Sequence, residues 1–133
     1  DRLTKKKWLI IDDNVLVGST TKLIIESLGV EVILADSGQK GINEYKKQNF
    51  DVVIIDYQMP GMNGIETYTK IKKINPKIRA YLYTGDLYSE ELKDVIKKEE
   101  GQLSILYKPA GKEDFIEICG DPIKRTKPGL QLS

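Results

Sequence analysis

The chain has 133 residues, a formal net charge of +1, and 40% hydrophobic and 31% charged residues, which suits one globular domain with one core. That balance gives no bulk electrostatic reason to expect nucleic-acid binding. Lys5-Lys6-Lys7 and Lys124-Arg125 read as solvated surface cations. One cysteine, Cys119, excludes an internal disulfide, and the absence of histidine excludes imidazole base catalysis, Ser-His triads and most zinc sites.

Short apolar runs then alternate with segments of helical period. Residues 8–11 (WLII) read as a first strand. Residues 14–28 read as a helix with Val17, Thr21, Ile24 and Leu28 near one face and Gly29 at its end. A second strand is expected at 30–35, followed by a helix capped by Ser37 with Ile42 and Tyr45 inward. The third strand spans 51–55, ending against Asp56. Its helix carries Ile65, Tyr68, Ile71 and Ile74 and ends before Pro76. The fourth strand is expected at 78–83. Ser89 caps the next helix, with Glu90 and Glu91 in its first turn and Leu92, Val95 and Ile96 inward. Residues 103–107 form the fifth strand, and a short last helix holds Phe115, Ile116 and Cys119.

Alternation of this kind predicts an α/β fold, a parallel five-stranded sheet covered by helices on both faces. The first and third strands are continuously apolar, as interior parallel strands are. The second and fifth carry Glu31 and Ser104, which an edge tolerates more readily. The expected arrangement is a flavodoxin-like (βα)5 three-layer sandwich in strand order 2-1-3-4-5. The domain is expected over 1–119, with 120–133, containing Pro122, Pro128 and Gly129, as a tail or the start of a linker. No apolar run approaches the ~20 residues of a membrane span and no secretory leader is visible, so a cytoplasmic setting is expected.

In such a sheet, ligands bind beyond the carboxyl ends of the strands where strand order reverses. The first strand ends in Asp12-Asp13 and the third in Asp56, so three carboxylates meet there. For a single Asp, a helix cap or turn is the plainer explanation. Three at neighbouring strand ends weaken it, because packed like charges destabilise one another unless a cation neutralises them. Oxygen ligands without His or Cys select a hard cation, magnesium above all. The fourth strand ends in Thr84-Gly85-Asp86 and the fifth in Lys108-Pro109. A metal, a lysine and a hydroxyl around one carboxylate are parts that phosphoryl transfer uses.

Asp12-Asp13, Asp56 followed by Met59-Pro60-Gly61 and Gly64, Thr84-Gly85 and Lys108-Pro109, in this order, resemble the receiver domain of two-component response regulators over about residues 6 to 119. The resemblance implies that Asp56 accepts a phosphoryl group from a sensor histidine kinase or phosphotransfer protein. It implies that Asp13, Asp56 and the backbone carbonyl of Gln58 ligate magnesium, with Asp12 acting through water. Lys108 would pair with Asp56 and then with the phosphoryl group, and Thr84 would move toward it and report it. Gln58 and Asp86 occupy positions that tune hydrolysis. The family often places an aromatic switch residue three positions before the lysine, where this chain has Ile105. Tyr83 and Tyr107 are candidate substitutes, with packing or surface roles the plainer reading.

The expected output is altered binding of a downstream effector at the face of the fourth helix, fifth strand and fifth helix. Direct nucleic-acid or membrane binding is not expected, and homodimerisation is left open. Such a switch is not an enzyme in the ordinary sense, since it catalyses only its own phosphorylation and dephosphorylation. The alternative is a receiver-like binding module that works without phosphorylation. An aspartyl-phosphate phosphatase is disfavoured by Gln58, where such enzymes carry a second acid, and a P-loop enzyme by the lack of its glycine-rich run.

Overall fold

The computed structural model describes residues 6–85 and 89–120. Along them run β1 (Lys7–Ile11), α1 (Val15–Glu26), β2 (Glu31–Ala35), α2 (Gly38–Lys47), β3 (Val52–Asp56), α3 (Gly64–Ile74), β4 (Ala80–Thr84), α4 (Glu90–Lys98), β5 (Leu103–Tyr107) and α5 (Lys112–Gly120). All strand pairs are parallel, in the order β2-β1-β3-β4-β5, as the sequence led one to expect. No helix among the described residues is long and apolar enough to cross a membrane.

Side-chain alternation along the strands divides the core in two. Leu9, Ile11, Val53, Ile55, Ala80, Leu82 and Leu103 face α2, α3 and α4, where Ile42, Tyr68, Ile71 and Leu92 meet them. Trp8, Ile10, Val52, Ile54, Tyr81, Tyr83 and Leu106 face the other layer, where Ile25, Phe115 and Ile118 cover them. Helix starts are held by side chains that accept an otherwise orphaned amide. Ser37 accepts from Lys40 N and Ser89 from Leu92 N, as expected. Asn14 caps α1, and Asn63 with Glu66 forms a reciprocal capping box on α3.

Four details depart from, or add to, what the sequence led one to expect. In α1 the deepest residues are Gly18, Thr21 and Ile25, while Val17, Ile24 and Leu28 pack only partly. The face rotates because Gly18 lets the helix approach the sheet: a Cβ there would stand 2.9 Å from Leu34 Cδ1. In α5 Phe115 and Ile118 turn inward, one helical turn apart, whereas Ile116 is 49% exposed and Cys119 lies on the surface. Ser104 sits on an edge strand yet is buried, opposite Tyr81 in the layer covered by α5. Edge position leaves the backbone unpaired on one side but does not expose the faces. Glu31, by contrast, is exposed and pairs with Lys7 at 3.9 Å. The expected strand limits shift by one or two residues toward the carboxyl end in β3 and β4, so that Asp56 and Thr84 are the last residues of their strands.

Gly64 sets where α3 can leave β3. A Cβ there would lie 2.6 Å from the Asp56 carbonyl oxygen and 2.8 Å from Tyr57 Cα, both backbone atoms that cannot step aside. Gly64→Ala is expected to destabilise the chain by about 1–3 kcal/mol in urea unfolding, through overpacking. An unchanged midpoint would show that the turn has slack.

Candidate functional site

The register brings two strand ends level. Ile11 pairs with Ile55, so Asp12 and Asp56 follow at the same height on neighbouring strands. Asp12 extends the ladder through its amide, which donates to Ala35 O at 3.0 Å. Its side chain is buried, as is that of Asp56, while Asp13 stands in solvent. One carboxylate oxygen from each of the three residues falls within 4.8 Å of the others.

Lys108 enters from β5, two strands away. Its backbone amide donates to Thr84 O at 3.0 Å, and its ammonium donates to Asp56 Oδ1 at 3.0 Å. Burial nonetheless raises the Asp56 carboxyl from 3.8 to about 6, against the pull of Lys108 and with a further push from Asp12. Burial likewise raises Asp12, opposed by the Asn14 amide, which donates to Oδ1 at 2.9 Å. The other oxygen, Asp12 Oδ2, is buried and has no hydrogen-bond partner among the described residues. A buried carboxylate oxygen without a donor, next to two more carboxylates, fits a hard divalent cation in both charge and donor type.

Thr84 is buried and pairs in register with Tyr107. Gln58 is exposed in the loop after β3. Ile105 is half-buried opposite Leu82, packed against the core under α4. Asp86 lies outside the described residues.

Two tyrosines add contacts that sequence reasoning does not reach. Tyr83 is buried, and its ring centroid lies 5.0 Å from Lys108 Nζ. Tyr57 points to the opposite face from Asp56, where its hydroxyl lies 3.0 Å from Ser89 Oγ and 3.2 Å from Glu91 Oε1. Ser89 Oγ already accepts from Leu92 N. A consistent proton order therefore runs from Leu92 N–H to Ser89, from Ser89 O–H to Tyr57, and from Tyr57 O–H to the Glu91 carboxylate. Alternation along β3 foretells the side on which Tyr57 lies, but its partners are more than thirty residues away in sequence.

The family model for the response regulator receiver domain matches residues 8–119. A response regulator receiver protein of Anaeromyxobacter sp. (strain Fw109-5) is 28% identical over 113 residues, 85% of this chain and 47% of that protein. The transcriptional regulatory protein ZraR of Escherichia coli (strain K12) is 33% identical over 101 residues, 76% of this chain and 22% of that protein. The chain thus spans about half the length, or less, of these relatives. A CheY-like receiver domain structure from Methanospirillum hungatei JF-1 superposes with a TM-score of 0.80 at 26% identity, covering 89% of this chain and 93% of that one. With its strand order, its carboxylate cluster and its lysine, the chain belongs to the receiver domain family of two-component response regulators. Receivers are signalling switches rather than metabolic enzymes.

The raised carboxyl has a thermodynamic consequence. A folded-state value of about 6 against 3.8 means that the folded chain binds the Asp56 proton more tightly than the unfolded chain. The resulting stability is complete below pH about 4 and lost as pH rises through about 6. Asn cannot ionise, so Asp56→Asn with a chelator present should melt higher than the parent at pH 7. The gap should shrink as pH falls toward 4. A variant that melts lower at pH 7 would mean that the Lys108 pair outweighs burial.

Proposed function

We propose that the chain is a phosphorylatable switch, in which Asp56 takes a phosphoryl group from the phosphohistidine of a partner kinase or phosphotransfer protein. The observation that carries this reading is Lys108 Nζ at 3.0 Å from Asp56 Oδ1 beside a buried, donorless Asp12 oxygen. An Asp56 carboxylate oxygen attacks phosphorus, the nitrogen–phosphorus bond breaks, and its electron pair returns to the donor imidazole. The ammonium of Lys108 and the hydroxyl of Thr84 bind the phosphoryl oxygens, and Gly85 leaves open space, the nearest atom to a Cβ there being Lys108 Cβ at 4.0 Å. Asp13, Asp56 and the Gln58 carbonyl would hold magnesium, with Asp12 assisting through water. When bound, the cation neutralises the clustered charge and that developing on the phosphoryl oxygens. Val15 and Leu16, 64% and 76% exposed just after the acidic pair, give the incoming donor an apolar footing beside the acceptor.

Output follows from how α4 is held. Leu92 is its only buried residue. Its start is tied to Tyr57, next in sequence to the phosphoacceptor, and its end to α3, where Glu99 accepts from Tyr68 at 2.8 Å and pairs with Lys72. An element held by a few polar ties over a small apolar contact is displaced at low cost.

Incubation with magnesium and acetyl phosphate, followed by intact mass, should show one labile phosphoryl adduct that is absent in Asp56→Asn. Absence of an adduct from both acetyl phosphate and a cognate kinase would leave a binding module that works without phosphorylation. With a beryllium fluoride mimic, amide shifts should spread from the site to α4, and Tyr57→Phe should reduce those on α4 while leaving those at Thr84. Equal α4 shifts in the variant would exclude Tyr57 as the connection.

A further inference from the structure

Lys108 is gripped by more than the carboxylate it faces. Asp56 and Tyr83 are register partners on β3 and β4, and Tyr83 is in turn the partner of Leu106 on β5. Partners in a parallel pair send their side chains to the same face, and Lys108 lies two residues beyond Leu106, on that face again. Carboxylate, ring and ammonium therefore come together in one row across three strands. The ammonium stands 5.0 Å from the ring centroid and 3.0 Å from Asp56 Oδ1.

The same tyrosine has a second hold on this segment. Its hydroxyl oxygen accepts from Ala110 N at 3.2 Å, two residues past the lysine. Tyr83 is 5% exposed and packed among Tyr81, Leu106 and Phe115, so it cannot follow the lysine outward. The Lys108 side chain is 34% exposed and has a flexible stem with many rotamers. The negative face of an aromatic ring attracts a cation within about 6 Å.

We propose that Tyr83 is a positioning residue for phosphoryl transfer, holding the Lys108 ammonium over Asp56 by its ring and the following loop by its hydroxyl. The lysine is then already in place when the phosphoryl group arrives, and less of its freedom is lost at the transition state. This inference rests on the phosphoacceptor role of Asp56 proposed above.

The test is a double-mutant cycle on the rate of phosphorylation by acetyl phosphate with magnesium, using the parent, Tyr83→Leu, Lys108→Ala and the double variant. Tyr83→Leu is expected to slow the reaction by roughly 3- to 20-fold, the range a cation–π contact implies. In the Lys108→Ala background it should slow it no further, and Tyr83→Phe, which keeps the ring but not the Ala110 bond, should fall between parent and Tyr83→Leu. Because Tyr83 is buried, a series of increasingly fluorinated phenylalanines at position 83 supplies a second measurement. The rate should fall with each fluorine as the ring face loses its negative charge, while the packed volume hardly changes. Equal slowing by Tyr83→Leu in both lysine backgrounds, or a flat fluorination series, overturns the inference. A parent chain that takes up no phosphate overturns the phosphoacceptor reading as well, and so is told apart from failure of the tyrosine alone.

Discussion

Two buried carboxylates and one exposed carboxylate, with oxygens drawn within 4.8 Å of one another, repel each other where little water is left to screen them. Much of the architecture serves to keep them there. Asp12 follows directly on β1 and Asp56 ends β3, two interior strands whose residues Leu9, Ile11, Val53 and Ile55 are buried on one face and Ile10 and Ile54 on the other. A strand packed on both faces and hydrogen-bonded on both sides cannot relax to relieve the charge at its tip. Partial relief comes from Lys108, and the order β1-β3-β4-β5 requires that lysine to reach back across β4. Burial, with a smaller push from Asp12, still holds the Asp56 carboxyl up at about 6 against the pull of Lys108. In the proposed function this residual instability makes the site receptive to a cation and a phosphoryl group.

The helices differ in how firmly they are held, and the difference matches the proposed division of labour. In α3, Thr67, Tyr68 and Ile71 are buried in addition to Gly64 at its start, and the capping box fixes the first turn. α4 buries Leu92 fully and Val95 and Ile96 only partly, and it has polar ties at its two ends, from Tyr57 at the start and from Tyr68 and Lys72 at the end. Apolar burial resists displacement in proportion to area, whereas a hydrogen bond exchanged for water loses little net free energy. The element beside the site with the smallest apolar commitment is also the one tied to the residue after Asp56. Local chemistry at the strand end therefore has a short physical route to a surface that a partner can read.

The legible part of the site is the part built from strand ends. Asp12, Asp13, Asp56 and Lys108 were expected to meet and do, because each closes a short apolar run and the parallel topology sends every such end to one edge, where Thr84 ends β4. The cap residues Ser37 and Ser89 were legible for a similar reason, since a cap bonds only a few residues along its own chain. The burial of Ser104 was not, because strand composition cannot say which helix lies over an edge strand. Nor was the turn of α1 about its axis, which depends on how closely Gly18 approaches Leu34.

By itself the sequence determined the alternation of strands and helices and the set of charged and hydroxyl groups at the ends of its apolar runs, while the order of the strands rested on their composition together with the family resemblance. These follow from periodicity, local capping and chain order, which act over a few residues or through topology. Only the tertiary structure decided that Asp12 keeps a buried oxygen without a donor, that the Tyr83 ring lies beside the Lys108 ammonium, and that Tyr57 is tied to the start of α4. Those contacts join residues about 25 to 35 positions apart, and their geometry is set by register and packing to within an ångström. No local pattern encodes that distance, because the same residues one register step away would face the opposite side of the sheet.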